Sequence, residues 1–221
     1  MSGPTAAVQR TRAESYARVV ATGLSLKERK RRQTEARIVD AAVALFSERG
    51  FEATTADEIA EAADCSRSTL FRYFGTKEDI LFGDVHARLA ALRTALADRH
   101  PCDDPWTVAK VVGIEEFVGF LSGESALPRA CINLWFSHPT PLCRYLEISH
   151  LWEQVLAEFF AAERGVSPES DLTSQLYAST MVGTVRAVMR AYARPDTDLH
   201  AAIREAFALL ESGPQRGLGA R

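Results

Sequence analysis

Apolar positions recur along the chain at spacings of three and four. Sustained apolar–polar alternation appears nowhere, so the pattern predicts helices throughout. Ile38, Ala41, Ala42, Leu45 and Phe46 form the first clear stripe, and Arg49-Gly50 closes it with a glycine of the kind that ends helices. Thr55-Ala56-Asp57-Glu58 is a capping box, in which the Thr55 hydroxyl takes one free N–H and Glu58 reaches back to another. It opens a short helix that turns Ile59, Ala60 and Ala63 inward. Asp64-Cys65 makes a tight turn, and Ser66 caps a second short helix over residues 67–74. Gly75-Thr76 ends that helix. One uninterrupted helix is expected over residues 77–99, with Ile80, Leu81, Val85, Leu89, Leu92 and Leu96 on one face. After a break at residues 100–105, further helices are expected over 106–121, 129–137, 142–164, 169–192 and 196–211.

The expected fold is all-α with about nine helices. Residues 1–26 read as a flexible basic arm and 27–82 as a three-helix helix-turn-helix domain. Residues 83–212 read as a larger helical domain and 213–221 as a disordered tail.

Composition narrows the picture. Of the 221 residues, 47% are hydrophobic and 25% charged, enough for a sizeable core and unlike collagen or low-complexity chains. No stretch approaches the roughly 18 uninterrupted apolar residues of a membrane span, and residues 1–22 lack a signal-peptide pattern. A cytoplasmic protein with no membrane partner is the expectation. Cys65, Cys102, Cys131 and Cys143 are scattered and form no C-x-x-C pair, which fits free thiols in a reducing compartment.

Charge is distributed unevenly. Residues 1–37 hold nine Lys or Arg and three Glu, a net +6, which leaves −9 for the rest of a chain whose total is −3. A basic end on an acidic body suits a polyanion met by that end, with a solvated basic tail as the alternative.

The two short helices, joined by a tight turn and preceded by an amphipathic helix, have the make-up of a helix-turn-helix unit. Leu70 and Phe74 point inward. Ser66, Arg67, Ser68, Thr69, Phe71, Arg72 and Tyr73 are left on the outside, a surface without acids that can lie in a major groove. Arg67 and Arg72 can fork onto guanine or phosphate, and helix N-termini near Thr55 and Thr76 suit phosphate oxygens.

The run Thr54-Thr55-Ala56-Asp57-Glu58-Ile59-Ala60, followed by the run from Ser66 to Leu81 (Ser-Arg-Ser-Thr-Leu-Phe-Arg-Tyr-Phe-Gly-Thr-Lys-Glu-Asp-Ile-Leu), closely resembles the tetracycline-repressor (TetR) family. The likeness is strong over about residues 32–82. It implies a homodimeric transcription regulator, in most cases a repressor. Its N-terminal domain would bind a palindromic double-stranded DNA operator, and its helical C-terminal domain a small-molecule effector. No cofactor, metal or catalytic residue is implied. By matched position the DNA-facing residues would be Thr54 or Thr55, Ser66, Arg67, Ser68, Thr69, Phe71, Tyr73 and Lys77. Arg72 joins them near the bases, and Tyr73 and Lys77 would lie on phosphates. Two positions depart from the family pattern. Phe71 stands where Tyr is usual, and Asp64 stands where Gly is usual, although Asp tolerates a left-handed backbone.

For the larger domain, Phe117, Phe120, Trp135, Phe136, Trp152 and Met181 are the candidate pocket residues, with simple core packing as the alternative. Few acids fall among them. Arg129, Arg144, Arg186 and Arg190 lie near apolar helices, so the reading is an apolar ligand, anionic if those arginines face it, such as an acyl chain carrier. The helix over 77–99, about 34 Å long at 1.5 Å per residue, would carry the signal to the DNA unit. Leu176, Thr180, Gly183 and Ala187, with Ile203 and Phe207, are the candidate dimer seam. Two other classes compete with this reading. One is a DNA-binding protein that takes no ligand, and the other is a helical enzyme or half of a metal site at Glu147-x-x-His150, on one helix face.

Overall fold

The structure, a computed structural model, describes residues 26–122, 129–194 and 196–213. All but one residue of the predicted arm, and all but Gly213 of the predicted tail, lie outside them. Among the described residues there are nine α-helices and no strand. In chain order they are α1 (Leu26–Arg49), α2 (Ala56–Ala62), α3 (Arg67–Tyr73), α4 (Val85–Ala97), α5 (Pro105–Ser122), α6 (Arg129–Ser137), α7 (Pro139–Arg164), α8 (Leu172–Tyr192) and α9 (Leu199–Ser212), with a short 3₁₀ turn, Glu78–Leu81, between α3 and α4.

The chain divides into two compact units between Arg37 and Ile38. In the first, residues 26–37 are helical, and Arg29, Lys30, Arg31 and Arg32 are exposed. In the second, Ile38, Ala42, Phe46 and Phe51 pack with Ile59, Ala60, Leu70 and Phe74 into the small core of the helix-turn-helix unit. The larger helices follow. The central α7 packs against α4, α5, α6, α8 and the 3₁₀ turn, and α8 packs against α6 and α9.

Caps explain most boundaries. Asp171 accepts from Ser174 N at 2.9 Å and Asp198 from Ala201 N at 2.5 Å, so α8 and α9 each start three residues later than expected. α7 starts three residues earlier, because Pro139 sits at its first turn, where a missing N–H costs nothing.

The expected single helix over residues 77–99 is wrong. The chain makes a 3₁₀ turn at Glu78–Leu81, breaks at residues 82–84, and restarts as the 13-residue α4. Gly83 sits at φ +63°, a left-handed conformation that side-chain-bearing residues adopt at a cost, and Asp84 caps the new helix by accepting from Ala87 N at 2.9 Å. The heptad-like run Ile80–Leu96 therefore belongs to two segments, and no rigid 34 Å rod exists.

Candidate nucleic-acid interface and ligand cavity

The start of α2 and the turn between α2 and α3 are built by local hydrogen bonds. Thr55 N donates to Glu58 Oε2 at 2.8 Å, and Glu58 N donates back to Thr55 Oγ1 at 3.3 Å. The bond from Thr55 N foremost, with a second from Thr55 Oγ1 to Glu58 Oε2 at 2.8 Å, holds the Glu58 carboxyl below the usual glutamate range, and Arg49 adds an ion pair at 3.0 Å. Asp64 lies at φ +50°, the left-handed turn position expected of it, and Cys65 N closes the turn on Ala60 O at 2.9 Å. Ser66 then caps α3, accepting from Thr69 N at 3.1 Å, with its hydroxyl 2.9 Å from those of both Ser68 and Thr69. Leu70 and Phe74 are buried. That leaves Ser66, Arg67, Ser68, Phe71 and Arg72 exposed on one face, with Thr69 and Tyr73 half-exposed at its edge.

Arg67 is already engaged on this face. Its Nη1 donates to both oxygens of Asp57, at 2.8 and 3.2 Å, and its guanidinium lies 5.4 Å from the Phe71 ring centroid. The pair is well exposed, so it is weak in water and can be exchanged for a base or phosphate. The Arg72 guanidinium lies 5.5 Å from the Tyr73 ring.

Two residues of the expected set do structural duty. Thr54 is 1% exposed and its hydroxyl donates to Gly50 O at 2.9 Å, so its side chain cannot face DNA. Of the two threonines weighed for that role, only Thr55 reaches the surface. Lys77 commits two of its three N–H groups to the α1–α2 loop, donating to Phe51 O at 2.7 Å and Thr54 O at 3.0 Å, and its ammonium sits 4.2 Å from the Phe51 ring centroid.

The second feature is a cavity of about 90 Å³ inside the larger domain. Phe117, Phe120, Trp135, Trp152 and Met181 line it, as do Phe82, Tyr145, Met189 and Phe207. Its rings are nearly parallel in places. Trp135 stacks on Phe82 at 5.1 Å, and on Phe120 and Tyr145 at 6.0 Å. Phe136, expected there, lies outside the wall, edge-on to Tyr145 at 5.2 Å and beside the Arg190 guanidinium.

The four arginines considered from sequence are likewise not in the cavity wall. Arg129 donates to the carbonyls of Arg194 and Thr197, and Arg144 pairs with Asp79 at 2.7 Å and Glu147 at 2.9 Å. Glu147 is thus occupied, and His150 bonds Gln154 rather than joining it. Among the described residues no three potential metal ligands cluster.

The cationic side chain running into the cavity from α4 is Arg88. Its Nε is sealed from solvent and has no hydrogen-bond partner, and its Nη1 reaches Phe82 O only at 3.5 Å. The guanidinium lies 3.8 Å from the Phe120 centroid and 5.2 Å from that of Trp152. Burial brings its pKa down to about 10, against the pull of Glu116, so it is charged at neutral pH. Trp135, 2% exposed, also has an Nε1–H without a partner. Lys110 lines the same cavity but spends its ammonium on Glu211 at 2.5 Å. Sequence reading missed Arg88 because a charge beside an apolar stripe reads as a solvated face. Its place one residue before the buried Leu89 is the only hint in the sequence.

Of the expected dimer seam, Ile203 and Phe207 are each 5% exposed within a single chain, and Phe207 lines the cavity. They belong to the monomer core and offer no surface. On α8, Leu176 is 58% exposed, Ala187 is exposed, and Thr180 and Gly183 are half-exposed.

Residues 38–82 match the model for bacterial regulatory proteins of the tetR family, and residues 103–215 match a model for the MftR C-terminal domain. The chain is similar to the HTH-type transcriptional regulator TcmR of Streptomyces glaucescens, 33% identical over 81% of this chain and 82% of that one. It is also similar to the regulator MftR of Mycobacterium tuberculosis, 29% identical over 85% and 94%. Among solved structures, the fatty acid degradation regulator FadR of Bacillus halodurans has the same fold, with a TM-score of 0.56, 22% identity, and coverage of 80% of this chain and 97% of that one. FadR of Bacillus subtilis in complex with stearoyl-CoA gives a TM-score of 0.55 at 19% identity, with 80% and 97% covered.

Proposed function

Because the chain belongs to the TetR family of bacterial transcription regulators, we propose that it is a homodimeric repressor whose grip on a palindromic operator is loosened by a small apolar ligand. The observation that carries this reading is the continuity of the cavity with the helix-turn-helix unit. Phe82, stacked on Trp135 in the cavity wall, directly follows the 3₁₀ turn. Asp79 in that turn accepts from Thr76 N at 2.9 Å and from Arg144 of α7 at 2.7 Å. A guest that displaces Phe82 or Trp135 pulls on this turn, and with it on the end of α3. The signal passes through Phe82 and the 3₁₀ turn, on the helix-turn-helix side of the break at Gly83, rather than along a rod.

On DNA, Arg67 exchanges Asp57 for a base or phosphate, Arg72 lies beside it, and Ser66, Ser68, Thr69 and Thr55 offer hydroxyls. Phe71, 39% exposed, suits a thymine methyl. Tyr73 and the third N–H of Lys77 lie toward the backbone phosphates. Two recognition helices must sit about 34–36 Å apart to read successive major grooves, so small shifts at the 3₁₀ turn misalign one of them. A ligand need supply only the typical coupling of about 1–3 kcal/mol. The dimer forms through the α8 stripe of Leu176, Thr180, Gly183 and Ala187, extended by the exposed Leu172 of α8 and Leu209 of α9. FadR of Bacillus subtilis, a protein of this fold, forms a complex with stearoyl-CoA, which supports a small-molecule effector.

The test is selection of bound duplexes from a random pool, followed by sedimentation of the complex. Recovery of a two-fold sequence bound by two protomers is expected. Binding without sequence preference at physiological salt, or by one protomer to one half-site, refutes the reading.

A further inference from the structure

We propose that the cavity selects an apolar ligand bearing one carboxylate, held by the Arg88 guanidinium and the Trp135 indole N–H. The inference rests on the ligand reading above and names what that ligand must carry.

Two independent observations meet in one place. Arg88 Nε and Trp135 Nε1 are both buried donors in the wall of the same cavity, and neither has an acceptor. A buried N–H left unpaired costs free energy, and nearly all such groups in folded proteins find a partner. A buried cation is more demanding, because an uncharged oxygen answers its hydrogen bond but not its charge. Glu116 lies close enough to influence Arg88, but acts on it only through charge, without a hydrogen bond. Its own carboxyl is pushed above the usual range, chiefly by burial, with Arg88 pulling it back.

The rest of the wall defines the ligand's body. Phe82, Phe120 and Trp152 are apolar rings, and Arg88 already stacks on two of them. Lys110, the other cation of the wall, is neutralised by Glu211. One buried positive charge without a direct ion pair fits a monoanion. A phosphate, with up to two charges and three oxygens, would bring more charge than Arg88 can answer. A cationic guest would meet repulsion from Arg88. The fork of a guanidinium also matches the planar oxygens of a carboxylate.

The experiment uses the full chain with 2-naphthoate and its neutral counterpart of similar shape, 2-acetylnaphthalene, read by calorimetry and thermal unfolding. Wild type is expected to bind 2-naphthoate at least tenfold more tightly. Arg88→Met is expected to lose about 100-fold for 2-naphthoate and little for 2-acetylnaphthalene, the effect of removing a charge-assisted pair. Without ligand, Arg88→Met should melt at or above the wild-type temperature, because it removes a buried charge that lacks a partner. A merely structural arginine would make that variant less stable. Should Arg88→Met not fold, Trp135→Phe keeps the ring, deletes the N–H, and should weaken 2-naphthoate about fivefold. Equal affinity of wild type for the two probes, or an unchanged affinity of the variants for 2-naphthoate, overturns the carboxylate assignment and leaves the ligand cavity standing. Failure of wild type to bind either probe overturns this inference together with the apolar-ligand reading on which it rests.

Discussion

Replacing Lys77 by methionine keeps the aliphatic stem and deletes an ammonium that ties the start of the 3₁₀ segment back to the α1–α2 loop. The bonds lost are those to Phe51 O at 2.7 Å and Thr54 O at 3.0 Å, together with the contact to the Phe51 ring at 4.2 Å. Hydrogen bonds from charged donors contribute about 1.5–3 kcal/mol each, and exposed cation–ring contacts about 0.5–1 kcal/mol. Lys77 is only part-buried, so water recovers some of this. A net loss of about 2–3 kcal/mol follows, which for a chain of this size lowers the melting temperature by about 4–12 °C. Urea unfolding at one fixed protein concentration measures it, since the stability of the proposed dimer would depend on concentration. A loss below about 0.5 kcal/mol, the scale of ordinary surface substitutions, refutes the clamp. The same variant reports on DNA. If the remaining N–H meets a phosphate, the slope of log affinity against log salt falls by about 0.9, and if it does not, the slope stays put.

Arg67→Ala releases only an exposed pair with Asp57, so stability should hold within about 0.5 kcal/mol while operator affinity falls by about 1–3 kcal/mol and base preference relaxes; equal operator titrations would remove Arg67 from the interface. Leu176→Glu with Gly183→Arg should yield a folded monomer by sedimentation, whereas Ile203→Glu should unfold the chain by placing a charge in the core; a folded Ile203→Glu monomer would return that residue to the seam. Burial holds the Glu115 carboxyl above the usual glutamate value of 4.5, so the folded chain keeps this proton more firmly than the unfolded one. The group therefore favours folding at pH values below that of the unfolded glutamate and loses the advantage as pH rises through its folded value. Glu115→Gln should accordingly melt higher than wild type at neutral pH and match it near pH 4, and a constant difference across that range would contradict the sign.

Local chemistry made much of this protein legible before any fold was known. A hydroxyl or carboxylate that can reach the third N–H of a helix acts within four residues, so Thr55 and Ser66 marked the starts of α2 and α3 without tertiary help. Asp64 at φ +50° and the inward Leu70 and Phe74 follow from the same short-range rules, and with them the outward face of α3. The break before α4 was also written locally, in Gly83-Asp84, but the apolar spacing ran on across it. Periodicity registers which residues share a stripe and is blind to a one-residue reversal of backbone hand. Only the tertiary structure decided what covers each stripe. Ile203 and Phe207 are as apolar as a subunit seam requires, yet α8 and the cavity wall bury them inside one chain, while Leu176 is left uncovered. Lys77 and Thr54 look like surface polar groups until the loop carbonyls at Gly50, Phe51 and Thr54 come within reach of their donors. Arg88 shows the difference most sharply. Its charge predicts solvent, and it is the meeting of Phe82, Phe120 and Trp152, supplied by three separate segments, that encloses its guanidinium. Caps and turns act over a few residues and are carried by the chain itself, whereas enclosure is a property of segments far apart in sequence and exists only once they have packed.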